Sequence, residues 1–484
     1  MARGMFAKKS IKTLLNEASD SSHALRRTLG PLNLTAMGIG AIIGAGFFVL
    51  TGQAAASFAG PGVIFSFAIA AIICVLSALC YAEFASMIPI AGSAYSYTYA
   101  TMGEFAAWSI GWGLTLEYLF SAITVAVGWS AYCVSLLRDL GLFFPEQLCN
   151  APIAYDPVSG WALTGHFLNI PAMAIIMVVG CMITVGIKTA SFMNSVMVAI
   201  KMGAIALFVI CGISFINWDH LVPLIPENTG IFGQFGWSGV LRGAGFVFFA
   251  FIGFDTVSTL GQESRNPQKD LPIGMLGSLG ISTITYIVVA VILIGIVGYQ
   301  SLGVPDPMAV AVNALGPGFV WLRYLVKLAI IIGLSSVILV MLLAQVRIFY
   351  TMTIDGLLPK ICGKIHPKFK TPFFTNIFLT GFGILAAGLL PVDILGQLTS
   401  MGALLAYAIV CFSILILRRT EPHLERPFKT PFVPWIPLLG VLSCLTLMLA
   451  LPLVTWIQFI AWMGVGYVVY FAYGAKHSVA RRRS

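Results

Sequence analysis

Charge is what this chain has least of. Only 9% of its 484 residues are Asp, Glu, Lys or Arg, against about 25% in an ordinary soluble domain, while 59% are hydrophobic. So few charges cannot cover the surface of a water-soluble chain of this length, which excludes a soluble protein. A mean hydropathy of +0.95 over the whole chain also excludes a soluble domain on a single anchor, because the apolar excess has to be spread along most of the length. Clustered metal ligands are lacking too: His23, His166, His220, His366, His423 and His477 all read as loop or terminal residues, with no metal-ligand spacing to Cys. No nucleophile, base and acid occur at useful spacing, so neither an enzyme, a metal centre nor a cofactor is expected.

The nine cysteines are an odd number, and Cys74, Cys80, Cys181, Cys211, Cys411 and Cys444 fall inside apolar runs, where a thiol behaves as a small buried hydrophobe. Only Cys133 and Cys149 leave a pairing open. The polar, basic first 31 residues lack the pattern of a cleaved leader, so none is expected, and they read as a solvated arm.

What the chain has in abundance is long apolar runs. Runs bounded by charge, Pro or Gly lie near 32–58, 62–87, 104–137, 168–186, 190–215, 238–260, 273–299, 318–350, 373–390, 394–417, 434–453 and 455–474. Each is long enough for a hydrocarbon core of about 30 Å. The reading is an all-α polytopic membrane protein of 12 helices, with a 1–31 arm, a 32–417 core divided into helices 1–5 (32–215) and 6–10 (238–417), helices 11–12 over 432–474, and a basic tail at 475–484.

The net charge of +9 need not mean nucleic acid, because membrane proteins concentrate Lys and Arg in cytoplasmic loops. With both termini inside, all but six of the 27 basic residues fall in inside segments. The outer stretches instead carry Asp139, Glu146, Asp156, Asp219 and Glu227. Both termini are therefore expected in the cytoplasm, with the chain in the inner or plasma membrane.

The first run contains Gly38-Ile39-Gly40-Ala41-Ile42-Ile43-Gly44-Ala45-Gly46, and the sixth places Gly253 and Asp255 in the apolar stretch that begins at Phe248. Runs one and six are five apart, so they cross the membrane in opposite directions. Interrupted helices at matching positions of two inverted halves mark a transporter site, since non-helical backbone is tolerated at membrane depth only within protein or around a cavity. Close helix packing is the other reading, because Gly40 to Gly44 is also a GxxxG spacing. Unwinding frees N–H groups on one side and C=O groups on the other, which suits a zwitterionic amino acid.

Six basic residues fall outside the inside segments: Arg138, Lys201, Arg242, Arg323, Lys327 and Arg347. Five lie near a run's end, where long side chains can reach water. Lys201 stands about eleven residues into the fifth run, a position that costs on the order of 3 kcal/mol or more. It is either a proton-coupling group or a structural lysine paired with a carboxylate. Glu117 and Asp255, both mid-run, can share a proton, take a cationic side chain or cap broken backbone. Glu83, at the inner end of run two, reads as a gate or packing contact.

Several stretches carry a resemblance: Leu79-Cys80-Tyr81-Ala82-Glu83-Phe84-Ala85, Gly92 to Tyr99, Gly111 to Glu117, Ala250-Phe251-Ile252-Gly253-Phe254-Asp255, Glu263 to Gly274 and Gln345 to Pro359. Together they resemble the cationic amino acid transporter family of the amino acid-polyamine-organocation superfamily, in matching order from about 25 to 435. The resemblance implies a LeuT-type fold of five plus five inverted helices with two more, helices 1 and 6 interrupted, and alternating access. It implies that the substrate carboxylate meets the N–H groups of Ala45 and Gly46. The ammonium would meet the carbonyls of Ile42, Phe249 and Ile252, with Ala250 beside them and Phe249 as gate. Lys201 matches the lysine that stands in for a sodium ion, implying proton coupling.

Three positions depart from the family pattern. Ala45 lacks a hydroxyl that relatives often have, Gln262 replaces a frequent acidic residue, and Arg242 adds a positive charge near the outer end of run six. That charge disfavours a cationic substrate. The expected function is proton-coupled symport of L-amino acids, neutral ahead of cationic. An exchanger or facilitator for cationic amino acids or polyamines, or a non-transporting amino acid sensor, stands as the alternative. A channel is disfavoured because no ring-forming filter motif is present.

Overall fold

The computed structural model describes residues 7–10, 29–90, 92–156, 160–185, 190–261, 263–304, 306–367 and 371–483. Most of the 1–31 arm and Gln262 thus lie outside the described residues. Lipid offers no hydrogen bonds to a backbone, so the apolar runs satisfy their own N–H and C=O groups as helices. Among the described residues eight helices are long and apolar enough to cross a membrane by length and composition, and four shorter apolar ones accompany them.

The first pass is α1 (Pro31–Ile42), started by Pro31 in the first turn, then the short α2 (Ala45–Phe48) and α3 (Leu50–Ala54). A π-helical turn over Ala55–Ala59 and a 3₁₀ turn at Gly60–Gly62 lead straight into α4 (Val63–Met87), so no loop separates the first two runs. There follow α5 (Ser93–Thr101), α6 (Glu104–Asp139), α7 (Ile170–Val185), α8 (Ala190–Gly212) and α9 (Gly236–Val247). Next come α10 (Pro267–Val297), α11 (Pro307–Ala314), α12 (Val320–Ile354), α13 (Phe373–Leu389), α14 (Val392–Thr420), α15 (Trp435–Ala450) and α16 (Leu453–Val469).

The long α6 packs along α12 and α14, and α10 packs along α1 and α4. These helices enclose the two interrupted runs, and from Gly243 to Ser258 every residue of the second one is buried. By contrast α15 and α16 lie at the edge, with Leu449 and Leu453 exposed. Trp112 holds α16 by donating from Nε1 to the Trp462 carbonyl at 2.9 Å.

The structure departs from the expectations, or fills what they left open, at several points. The chain is not purely helical: β1 (Ile153–Asp156) and β2 (Gly160–Leu163) form an antiparallel hairpin between α6 and α7, with Ile153 opposite Leu163. All nine cysteines are free, which closes the pairing left open for Cys133 and Cys149. Lys327 does not reach for water; it is fully buried and ion-paired with Asp139 at 2.5 Å, an arrangement that fastens α12 to the end of α6.

Residues of both terminal segments, where they are described, also contact the bundle. Glu104, at the start of α6 and fully buried, accepts from Tyr99 at 3.1 Å, Tyr470 at 3.0 Å, Arg481 Nε at 2.9 Å and the Ser478 hydroxyl. Asp355, at the end of α12, accepts from Lys9 at 3.0 Å and Tyr95 at 2.8 Å, and its carbonyl accepts from the Val479 N–H at 3.0 Å. Because Tyr95 and Tyr99 are one turn apart, α5 ties both terminal segments to the bundle.

Candidate functional site

Both glycine-marked runs break. After α1, Ile43 turns extended at φ −75°, ψ 90°, and the chain restarts as α2 at Ala45, of which only the backbone is described. After α9 a 3₁₀ turn over Phe248–Phe251 ends in extended Ile252. Gly253 follows at φ +119°, a conformation that only glycine adopts without strain, and a second 3₁₀ turn runs over Asp255–Leu260.

The two breaks touch main chain to main chain. A Cβ on Gly46 would lie 2.4 Å from Ala250 Cα and 2.9 Å from Phe249 Cδ1, and one on Gly253 would lie 2.9 Å from the Ala41 carbonyl carbon. Ile42, Gly46, Phe249, Ala250 and Ile252 are all buried and lie along this seam. Phe249 covers Gly46, so the structure brings the residues of the expected substrate site together.

Lys201 reaches the same place from α8. Its side chain is buried, and its amine donates to the carbonyls of Gly40 at 3.0 Å and Ile43 at 2.6 Å, at the C-terminal end of α1 where the helix dipole favours a cation. Among the described residues these carbonyls, not a carboxylate, are its partners. Room for its stem comes from Gly333 on α12, where a Cβ would lie 2.8 Å from Lys201 Cδ.

Glu117 and Asp255, both fully buried, converge on one hydroxyl. Tyr407 stands 3.2 Å from Glu117 Oε1 and 3.4 Å from Asp255 Oδ1. Asp255 also accepts from Tyr118 at 2.5 Å and from the Gly253 N–H at 3.3 Å, so it caps the second break. Among the described residues Glu117 Oε2 has no hydrogen-bond partner.

Two other residues sit elsewhere. Glu83 accepts from Arg418 Nε at 2.9 Å and Nη2 at 2.7 Å, pairs with Arg426 at 3.3 Å and accepts from the Thr430 N–H at 2.8 Å. It pins the segment after α14 to α4. Arg242 points toward the end of α15, donating to the Ala450 carbonyl at 3.4 Å with its guanidinium 5.7 Å from the centre of the Phe232 ring. These contacts hold Arg242 against the end of α15.

Sequence reasoning missed Tyr286 on α10. Its hydroxyl lies 3.0 Å from the Ile42 carbonyl and 2.6 Å from that of Ala250, and its ring stacks on Phe47 with centroids 4.7 Å apart. Tyr118, Tyr407 and Gly333 were missed as well. The available signal was a tyrosine hydroxyl inside an apolar run, which needs a partner when buried.

Comparison with known proteins follows the same line. The sequence model of one family, described as amino acid permease, matches residues 29–475. The methylthioribose transporter of Bacillus subtilis (strain 168) is 41% identical over 481 residues, 99% of each chain. The branched-chain amino acid permease BcaP of the same organism is 41% identical over 482 residues, again 99% of each chain. Cationic amino acid transporter 4 of Homo sapiens is 35% identical over 435 residues, 86% of this chain and 65% of the relative. A full-length match of this kind, on a bundle whose two interrupted passes meet at its centre, places the chain: it belongs to the amino acid permease family of multi-span membrane transporters.

Proposed function

We propose that the chain is a proton-coupled L-amino acid symporter of the plasma membrane, working by alternating access in a LeuT-type arrangement of twelve passes with both termini inside. The observation that carries this reading is the seam of Gly46 on Ala250, flanked by the Lys201 amine on the carbonyls of the first break. At the seam, helix interruption frees carbonyls for an ammonium and N–H groups for a carboxylate. On this reading Ala45 and Gly46 receive the carboxylate, Ile42, Phe249, Ala250 and Ile252 line the ammonium, and Phe249 closes over them. Lys201, Glu117 and Asp255 form the charge network that links proton to substrate.

Neutral substrates are favoured over cationic ones. The walls at the seam are Phe47, Phe249 and Phe251, all buried, and they suit an apolar side chain such as those carried by a branched-chain permease. A ribose thioether carries no ammonium for the freed carbonyls, so the methylthioribose relative is weighed as a competitor in the test. Uptake of labelled leucine, alanine, arginine and methylthioribose is measured in sodium-free proteoliposomes, with and without an inward proton gradient, for wild type and Lys201→Ala. Gradient-driven accumulation of leucine or alanine that is lost in the variant supports the proposal. Equilibration without accumulation, unchanged in the variant, replaces it with a facilitator or exchanger.

A further inference from the structure

The Tyr286 hydroxyl faces more acceptors than it can serve. It stands within hydrogen-bond distance of two carbonyls, Ile42 at 3.0 Å and Ala250 at 2.6 Å. A phenol has one proton to donate. In unbroken helices these carbonyls would accept from the N–H groups of Gly46 and Phe254, four residues on, but each break falls between carbonyl and partner. At any instant one of the two buried carbonyls therefore lacks the Tyr286 proton, a costly position for an acceptor away from water.

An ammonium has three protons and is small enough to serve both carbonyls at once. We infer that Tyr286 is a placeholder for the substrate's ammonium: its hydroxyl holds the two breaks together while the site is empty, and the incoming amine displaces it. The inference rests on the amino acid reading above and adds to it a residue and a step.

The surroundings of the ring give the displacement a route outward. Tyr286 stacks on Phe47 of the first break, with interplanar angle 18°. It meets Phe251 of the second break edge-on at 5.3 Å and Phe67 of α4 at 5.4 Å. When the hydroxyl leaves its carbonyls, the ring presses on an aromatic from each break, so arrival of the amine is passed to both halves of the site together.

A placeholder makes a different demand on each transport step than a structural hydroxyl does. Binding competes with Tyr286, so its removal tightens binding. The return of the empty carrier needs Tyr286, so its removal slows that step. Exchange of one amino acid for another skips the return of the empty carrier and is spared.

The test uses the full chain in sodium-free proteoliposomes, with labelled L-leucine, L-alanine and L-arginine as probes, for wild type and Tyr286→Phe. The expected result is a KM about twofold to tenfold lower, the fold-change that matches the net worth of one hydrogen bond, together with reduced net uptake and preserved exchange against internal amino acid. A KM that is unchanged or raised, or exchange that falls along with net uptake, overturns the inference. If Tyr286→Phe does not fold, a fluorinated tyrosine at position 286 keeps the shape and donates more strongly. A raised KM then supports the placeholder role, and an unchanged or lowered one overturns it. A wild type that takes up none of the three amino acids defeats the underlying reading instead, so the two failures are told apart.

Discussion

Lys201 Nζ and the Ile43 carbonyl oxygen lie 2.6 Å apart, so a lysine from α8 closes the end of α1 at the first break. The amine takes the place that the next turn of α1 would have filled, and the break is stable because of it.

On the proposed reading, Lys201→Ala is expected to remove more than proton coupling. It leaves the carbonyls of Gly40 and Ile43 without their donor, at about 1–3 kcal/mol for each buried acceptor left unsatisfied. A lowered melting temperature in detergent, alongside lost gradient-driven uptake, is the expected pair of results. Gly333→Val reproduces both defects if the stem of Lys201 needs the space at Gly333; a variant with wild-type uptake would separate the two positions.

Gly46→Ala and Gly253→Ala push a methyl group into backbone rather than into a movable side chain. The penalty is expected at or above the top of the about 1–3 kcal/mol range for overpacked positions. Gly464→Ala, where an added Cβ meets nothing within 4 Å, is the control. Thermal unfolding of the three purified variants checks this, and near-equal melting temperatures would refute the tight seam.

Tyr407 links the two buried carboxylates, so Glu117→Gln and Asp255→Asn are expected not to add. A double-mutant cycle on net uptake, run in the Tyr407 and the Tyr407→Phe backgrounds, reads the link. A coupling of about 0.5–3 kcal/mol that shrinks when the hydroxyl is removed is the expected outcome, whereas additive effects in both backgrounds mean the carboxylates act separately.

Arg481→Ala is expected to destabilise the protein by about 1–2 kcal/mol, because Glu104 keeps its three hydroxyl donors. Glu104→Ala is expected to cost more, on the order of 3 kcal/mol or above, since it removes the one acceptor that Tyr99, Tyr470, Ser478 and Arg481 share. Melting temperatures in the two variants should fall in that order; the reverse order would make the docking of the C-terminal segment, rather than Glu104, the stabilising element.

The apolar runs and the two weak points were legible because both are local. Glycine density and a carboxylate in an apolar stretch mark a break wherever the partners lie, and Lys201 is conspicuous in any apolar run. What the sequence hid are pairings across distance. A tyrosine at position 286 changes neither the hydropathy nor the period of α10, and its acceptors are 244 and 36 residues away. Glu83 read as a gate or a packing contact, and the arginine that pairs with it lies 335 residues further on. Lys327 and Asp139 read as two residues near helix ends, and only the packing of α12 on α6 makes them one buried pair. The glycine run around the first break held too many candidates to say which one the second break would touch.

The contact of Gly46 with Ala250 is main chain on main chain, and with the substrate seated at this seam, as proposed, that limits how such a protein can change its cargo. Mutation has nothing to act on at a seam that admits no larger side chain. New preferences have to be written in the ring around it, in Phe47, Phe249, Phe251 and Tyr286, so permeases can diverge in what they carry while the floor beneath the cargo stays the same.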